Sequence, residues 1–424
     1  MSTAIYWFRN DLRLYDNPAL DAAVKENDAI VPVYILDGKY LQADRWGFVR
    51  TGNYRLQFLL ESLEDLNNYL QEKGSQLLVF KGDPASLIPQ LAEKYEAPKV
   101  YATKEYTHEE LKLEQAIADQ VDLELHHGLC LYHPDDSPFS IDQLPDVFTQ
   151  FRKRMEKYSQ VRELISTPEK INSPTLEETG VPSIEDLGFE KPESDGRAAI
   201  AFKGGALEAE KRLDYYLWET DQVATYKETR NGLIGADYST KFSAWLANGC
   251  ISPRTIYHEV EAYEAERKSN SSTYWVKFEL MWRDYFKYVV MKYGRKIFWK
   301  GGIQDKSIKF RTHQRVFDKW AEGRTGDDFV DANMRELLHT GFMSNRGRQN
   351  VASYLVHQLN VDWRMGAAWF ESLLVDYDVA SNYGNWMYAA GVGNDPRDRV
   401  FNTKKQANNY DGDGSYRKLW LTNR

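Results

Sequence analysis

The sequence predicts an α/β layer followed by an all-α region. Short β-branched or aromatic runs alternate with amphipathic stretches through the first 130 residues, the pattern of a parallel sheet with crossover helices. From about Ala206 onward the apolar spacing is almost wholly helical. Between the two, residues 131–200 hold seven of the fourteen prolines, too long an interruption for a loop inside one compact unit. With 424 residues, and roughly 150 per domain, more than one core is expected. The expected division is an α/β domain over 1–130, a connector over 131–205 and a helical domain over 206–424.

Strands are expected at 4–8, 29–36, 76–81, 99–103 and 123–127. Helical patterns at 18–25, 51–73, 84–95 and 108–118 separate them, each long enough for a parallel crossover. Five strands and four crossovers make a doubly wound sheet. The first strand runs into YWFRNDLR (6–13) and not into GxGxxG, so a Rossmann pyrophosphate turn is not supported. The connector shows one helical patch, at 146–157. Beyond it, helices are expected at 206–217, 240–247, 253–266, 274–293, 330–340, 345–359 and 363–375.

Composition removes several classes of function. Hydrophobic residues make up 42% and charged residues 28%, and no run of about 18 apolar residues exists to span a bilayer. No basic, then apolar leader opens the chain, so a secretory signal is not expected. Two cysteines, Cys130 and Cys250, make neither a disulfide framework nor a CxxC metal site. A reducing, cytoplasmic compartment and no metal follow. The net charge is −9, which argues against a nucleic-acid partner until the chain is divided: residues 1–200 carry −14 and residues 201–424 carry +5. Residues 291–320 alone carry +7, and such a patch attracts phosphates even on an acidic protein. A solvated basic helix face explains it equally well.

Two constellations stand out in the second half. Residues 235–254, GADYSTKFSAWLANGCISPR, place Ser239, Thr240, Ser243 and Lys241 at an expected helix start, where unpaired N–H groups favour phosphate; Ser239 as an ordinary N-cap is the simpler reading. The second is Asn345-Arg346-Gly347-Arg348-Gln349, followed by Asp376-Tyr377-Asp378 and the run 381–386. It reads either as a buried ion-pair network or as fixed donors and acceptors around a polar planar cofactor. Trp363, Trp369 and Trp386 read as core aromatics or as electron-transfer stations.

The run WFRNDLRLYDNPAL (7–20) resembles the opening of the photolyase and cryptochrome family, and FSAWLANGCISPR (242–254) resembles its flavin-domain motif. TGFMSNRGRQNVA (340–352), DYDVASNYGNWMYAAGVGN (376–394) and, in the connector, LPDVFTQFRK (144–153) resemble the DASH-type cryptochromes. The resemblance spans the chain in order. It implies an N-terminal antenna domain and a C-terminal helical domain holding one FAD. Tyr226, Ser239, Thr240, Lys241, Phe242 and Ser243 would then meet the FAD phosphates and ribityl chain, with Arg283 also in the pocket. Asn345, Arg348, Asp376 and Asp378 would line the isoalloxazine, with Arg348 paired to an acid and Asn382 facing flavin N5.

The activity implied is light-driven repair of cyclobutane pyrimidine dimers by electron transfer from reduced FAD. Glu279, Trp282, Asn345, Gln349 and Tyr388 are the implied lesion-pocket residues, with Arg230, Arg346 and Arg399 on the DNA backbone. Gln349 and Tyr388 stand where duplex-specific relatives carry Met and Trp, which implies a preference for single-stranded DNA, with RNA an open second partner. Ser344-Asn345 stands where (6-4) repair enzymes carry a histidine pair, so (6-4) repair is not expected. Trp386 and Trp363 match the inner electron-transfer pair, but the outer position falls on Phe310, leaving Trp299, Trp320 or a tyrosine to replace it. Methenyltetrahydrofolate is the implied antenna, with Glu109, or its neighbour Glu110, as its acid. A monomer is expected. The alternative is a blue-light photoreceptor; the stop at Arg424, soon after the closing motif at 416–421, favours repair. A flavin oxidoreductase is disfavoured because no nicotinamide-site motif is present.

Overall fold

The computed structural model describes residues 2–310, 313–395 and 399–422. Strands β1 (Thr3–Phe8), β2 (Ala29–Asp37), β3 (Leu78–Gly82), β4 (Lys99–Thr103) and β5 (Asp122–His126) form one parallel sheet in the order β3-β2-β1-β4-β5. Helices α1 (Pro18–Glu26), α2 (Asn53–Glu72), α3 (Pro84–Lys94) and α4 (His108–Ala118) are the crossovers. Both faces of the sheet are covered. On β1, Ala4, Tyr6 and Phe8 enter the main core while Ile5 and Trp7 enter a second core with Ile88, Leu91 and Ile117 of α3 and α4. Strand order reverses between β1 and β4, and in such sheets ligands lie beyond the carboxyl ends of the strands at that point.

The connector carries α5 (Phe148–Tyr158) and then runs without regular helix or strand to Gly205. The helical region follows: α6 (Ala206–Asp214), α7 (Tyr226–Thr229), α8 (Ser243–Asn248), α9 (Pro253–Glu266), α10 (Ser271–Tyr293), α11 (Gln314–Ala321), α12 (Asp328–Thr340), α13 (Asn345–Ser353), α14 (Trp363–Leu373), α15 (Val379–Ala389), α16 (Thr403–Tyr410) and α17 (Ser415–Leu421). Among the described residues no helix is long and apolar enough to cross a membrane. The sequence-based expectation omitted α7, α11, α15, α16 and α17. Four of these have eight residues or fewer, too short to show an apolar period, and α15 contains a glycine, Gly384, whose close packing replaces part of an apolar stripe. A Cβ on Gly384 would fall 2.2 Å from the Phe286 ring. The single stretches expected at 206–217 and 345–359 each end in a π turn, at Tyr215–Glu219 and Tyr354–Gln358.

The two family-like motifs at 7–20 and 242–254 pack against each other. Asp16, fully buried, accepts from Arg254 Nε and Nη2 at 2.9 and 2.6 Å and from Ser252 Oγ at 2.5 Å. Leu12 N donates to Asn248 O, and Arg13 Nη1 donates to Gly249 O. Gly249 has φ +70°, and a Cβ there would lie 2.0 Å from Asn10 O, so glycine is needed both for the backbone and for the approach. The connector is fixed from the other side. Asp284 on α10 accepts the backbone N–H groups of Leu131 and Tyr132, both at 2.9 Å, and burial pushes its carboxyl up to about 6.

Candidate functional site

The segment preceding α8 is shaped by a residue that carried no motif signal. Buried Arg212 of α6 donates to the carbonyl oxygens of Ala236, Ser239 and Thr240 and to Asp237 Oδ1. With its carbonyls pinned, the turn leaves the hydroxyls of Ser239, Thr240 and Ser243 without a hydrogen bond among the described residues. Ser239 is not the N-cap: α8 starts at Ser243, Phe242 stands in the cap position, and no side-chain cap bond is made. Lys241 holds a left-handed φ of +62°, unusual for a lysine. Its ammonium is buried with no hydrogen-bond partner and sits 3.2 Å from the centre of the Tyr238 ring. Burial drives its pKa well below that of an ordinary lysine.

Arg348, expected to pair with an acid, pairs with Asp376: Nη2 lies 2.9 and 2.8 Å from the two carboxylate oxygens, and Nε donates to Met343 O. Asn345, exposed at the start of α13, keeps its amide free of hydrogen bonds among the described residues, while Ser344 caps the helix by accepting from Gly347 N at 3.0 Å. Asn382 Nδ2 donates to Ala367 O at 3.0 Å, which orients its buried amide. Asp378 is placed differently from Asp376. It caps α15 through Ser381 N and pairs with Lys287 at 2.8 Å. The positive charges of Lys287 and Arg283 outweigh burial and hold its carboxyl below the usual range. Arg283 donates to Leu129 O and Leu246 O, and so lies at the seam beside Asp378.

Sequence reasoning also missed Glu336. It is buried on α12, accepts from Tyr416 Oη at 2.6 Å and faces Lys241 and Arg348; burial pushes it up to about 7. The folded state therefore keeps a proton that the unfolded chain has lost by about pH 5. The resulting stability is full below about pH 4.5 and is lost as pH rises through about 7. Glu336→Gln, neutral throughout, is expected to shrink the loss of urea stability between pH 5 and 8; an unchanged loss would refute this assignment.

The residues expected at a lesion pocket converge along α10. Glu279 accepts from Arg230 and from Trp275 Nε1, and burial raises its pKa. Trp282 stacks on Phe148 of the connector helix, with ring centres 3.7 Å apart and planes 12° apart, and meets Tyr388 edge-on at 6.0 Å. Gln349 accepts from Arg346 Nη1 at 3.0 Å. Arg346 also donates to Asn231, lies over the Tyr410 ring, and keeps a buried Nε without a partner. Its pKa is lowered by burial and by the charges of Arg230 and Arg399, so the three arginines lie near one another. The basic run at 291–320 is dispersed instead: Lys292 binds the connector at Leu144 O and Asp146, Lys306 binds Gly391 O, and Arg311 lies outside the described residues.

Trp386 and Trp363 are both buried. Gly366, one turn along α14 from Trp363, lets the Trp386 ring in so closely that a Cβ there would lie 2.3 Å from it. Trp363 Nε1 donates to Lys300 O at 3.0 Å, and its ring is edge-on to Tyr383 at 6.0 Å. Trp320, also buried, meets Trp386 edge-on at 6.2 Å. Phe310 is half-buried beside Lys300, and Trp299 is 43% exposed.

A cavity of about 960 Å³ opens at the topological switch point, between the ends of β1 and β4 and the helical region. Asn10, Glu105, Glu109, Glu110, Lys287 and Tyr383 are among its lining. Glu109 is engaged by Arg50, whereas Glu110 keeps a buried carboxylate oxygen without a partner. Burial raises both Glu110 and Glu105, the latter to about 7.

Comparison with known proteins agrees with this geometry. Residues 4–171 match the model of the DNA photolyase family, and residues 275–423 match that of the FAD binding domain of DNA photolyase. The chain is 51% identical to a cryptochrome DASH of Danio rerio, over 99% of this chain and 83% of the relative. It is 52% identical to a cryptochrome DASH of Xenopus laevis, over 97% and 81%. Among solved structures, a cryptochrome of Synechocystis sp. PCC6803 superposes with a TM-score of 0.96 at 48% identity, over 99% of this chain and 89% of that one. A class III photolyase of Agrobacterium tumefaciens gives 0.85 at 26% identity, over 99% and 86%. The chain thus belongs to the DNA photolyase and cryptochrome family, within its DASH branch.

Proposed function

We propose that the protein is a blue-light-dependent, FAD-containing lyase that repairs cyclobutane pyrimidine dimers, preferentially in single-stranded DNA. The observation that carries this reading is the nearness of Arg230, Arg346 and Arg399 to one another, with Arg230 bonded to Glu279 and Trp282 edge-on to Tyr388. Arg230 is paired with Glu279 and Arg399 with Asp395, so the acids only partly offset a cluster of three cations, and DNA phosphates would complete it. The residues also fit FAD. The unpartnered Lys241 ammonium and the three free hydroxyls of 239–243 suit a diphosphate, and Arg348, Asp376 and Asn382 offer fixed polar groups to a planar ring. Bound and reduced, FAD supplies the electron that light sends to the dimer.

The protein's own residues bind, orient and exclude. The arginines fix the backbone on either side of an extruded dimer. Glu279, raised by burial, meets pyrimidine N–H and carbonyl groups either as an acceptor or with a proton held. Trp282 and Tyr388 form the wall. Extrusion costs a few kcal/mol from a duplex and much less from a single strand, and the polar Gln349 and Tyr388 offer little wedge to offset it. Repair on a single-stranded oligonucleotide is expected to be at least about tenfold faster than on the matched duplex; an equal or faster duplex rate would overturn the preference.

The cavity at the switch point is read as the seat of a methenyltetrahydrofolate antenna. Glu110 and Glu105 join Glu109 as acids for a pterin edge. Glu110→Gln is expected to weaken folate binding about tenfold in a fluorescence titration, and unchanged affinity would exclude that residue. The two buried free thiols suit a reducing cytoplasm, and the protein is read as a monomer there.

A further inference from the structure

The half-buried rings of α10 do not stop at the pocket. Trp275, Phe278 and Trp282 recur at i, i+3 and i+7, on one face of the helix. Trp275 stacks on Phe278 at 4.5 Å and 26°, Phe278 meets Phe148 edge-on at 5.2 Å, and Phe148 stacks on Trp282. The file of rings therefore runs outward from the lesion-pocket wall without a gap. It is joined to the pocket by hydrogen bonds as well, since Trp275 Nε1 and Arg230 share one oxygen of Glu279.

Cations accompany the rings. Lys227 lies 4.9 Å from the Trp275 ring centre, Arg230 5.6 Å from it, and Arg152 5.8 Å from that of Phe278. Lys227 is exposed and makes no ion pair among the described residues. The nearby acids are committed elsewhere: Glu228 accepts from Ser272 Oγ, Glu156 from Arg152 and Tyr274, and Glu264 from Lys277 and Thr273. Stacking rings interleaved with cations, of which Lys227 is unpaired among the described residues, are the chemistry that holds unpaired nucleotides without regard to sequence.

We infer that the Trp275–Phe278 face of α10 is a track for the unpaired nucleotides flanking the lesion. A base takes the place of the Lys227 ammonium over Trp275, and the ammonium moves to the adjoining phosphate. The inference rests on the lesion-pocket reading and adds a reason for single-strand preference: paired bases have no free face to offer the track.

The test is dark calorimetric titration of the holoprotein with a thymine dimer, presented as the bare dinucleotide and within a single-stranded nonamer. Trp275→Ala is expected to weaken nonamer binding about tenfold and dinucleotide binding, which feels only the lost bond to Glu279, by no more than about threefold. A nonamer affinity unchanged within about twofold, or an equal loss on both probes, would overturn the track. Lys227→Ala, at an exposed position, keeps the test valid if the tryptophan variant misfolds. Its nonamer binding should lose about 0.7 from the slope of log Kd against log salt, and an unchanged slope would count against the track. Trp282→Ala separates the two readings. Loss of dinucleotide binding is expected, and its retention would remove the pocket and the track with it.

Discussion

Asp16→Ala is expected to lower the unfolding free energy by about 3–5 kcal/mol, the cost of leaving a buried charge unpaired. The carboxylate is fully buried and takes two bonds from Arg254, itself buried, and one from Ser252. It also accepts from Ile165 N of the connector. Alanine therefore strands a guanidinium, a hydroxyl and an amide at once. Asp16 holds a φ of +51° as well, a conformation aspartate tolerates better than alanine. Equilibrium urea unfolding at fixed pH measures the loss, and a change under about 1 kcal/mol would show that water reaches the pair. A second substitution, Arg254→Met, should recover part of the loss, because an apolar neighbour no longer needs the carboxylate.

Trp386→Phe is expected to abolish light-driven reduction of bound flavin. Phenylalanine is too hard to oxidise to serve as a stepping stone, and the packing against Gly366 leaves no room for another aromatic to take the place of Trp386. Beyond Trp386 the candidates are Trp320, edge-on to it at 6.2 Å, and Trp363, on the helix whose Gly366 packs against the Trp386 ring. Both rings are buried, and the resemblance puts Phe310 at the outer position. Bleaching of flavin absorbance under blue light with a thiol donor measures the rate. A rate within about twofold of the parent would refute the role of Trp386, and comparing Trp363→Phe with Trp320→Phe assigns the branch.

The strands and crossovers were legible because each carries its own period. All five strands and the four crossover helices lie within two residues of their expected ends. That Arg348 pairs with an acid came from the resemblance; which acid did not, since Asp376 lies 28 residues away and no local pattern links the two. What stayed hidden depended on long-range contact. Arg212 reads as one more basic residue on an amphipathic helix until its guanidinium is seen holding three carbonyls of the 236–240 turn. Glu336 looks like a surface acid in DANMRELL, yet packing against α17 buries it. Ser239 looked like a cap because local chemistry favours serine there, but the positive φ of Lys241 delays the helix to Ser243. The covering of Trp282 by Phe148 was not legible, because a connector's path over a helix leaves no mark in spacing.

The seam between the sheet and the helical region also decides how the molecule opens. The amide of Leu12 is bonded to Asn248 O, and those of Leu131 and Tyr132 are bonded to Asp284. None of the three lies within a helix or strand, where slow exchange is ordinarily sought. Each is tied to an element far away in the chain, so it can be freed only when the two halves part. Hydrogen exchange at these loop amides should therefore report global unfolding, with protection rivalling that of β1, and the α/β layer and the helices should melt as one cooperative unit.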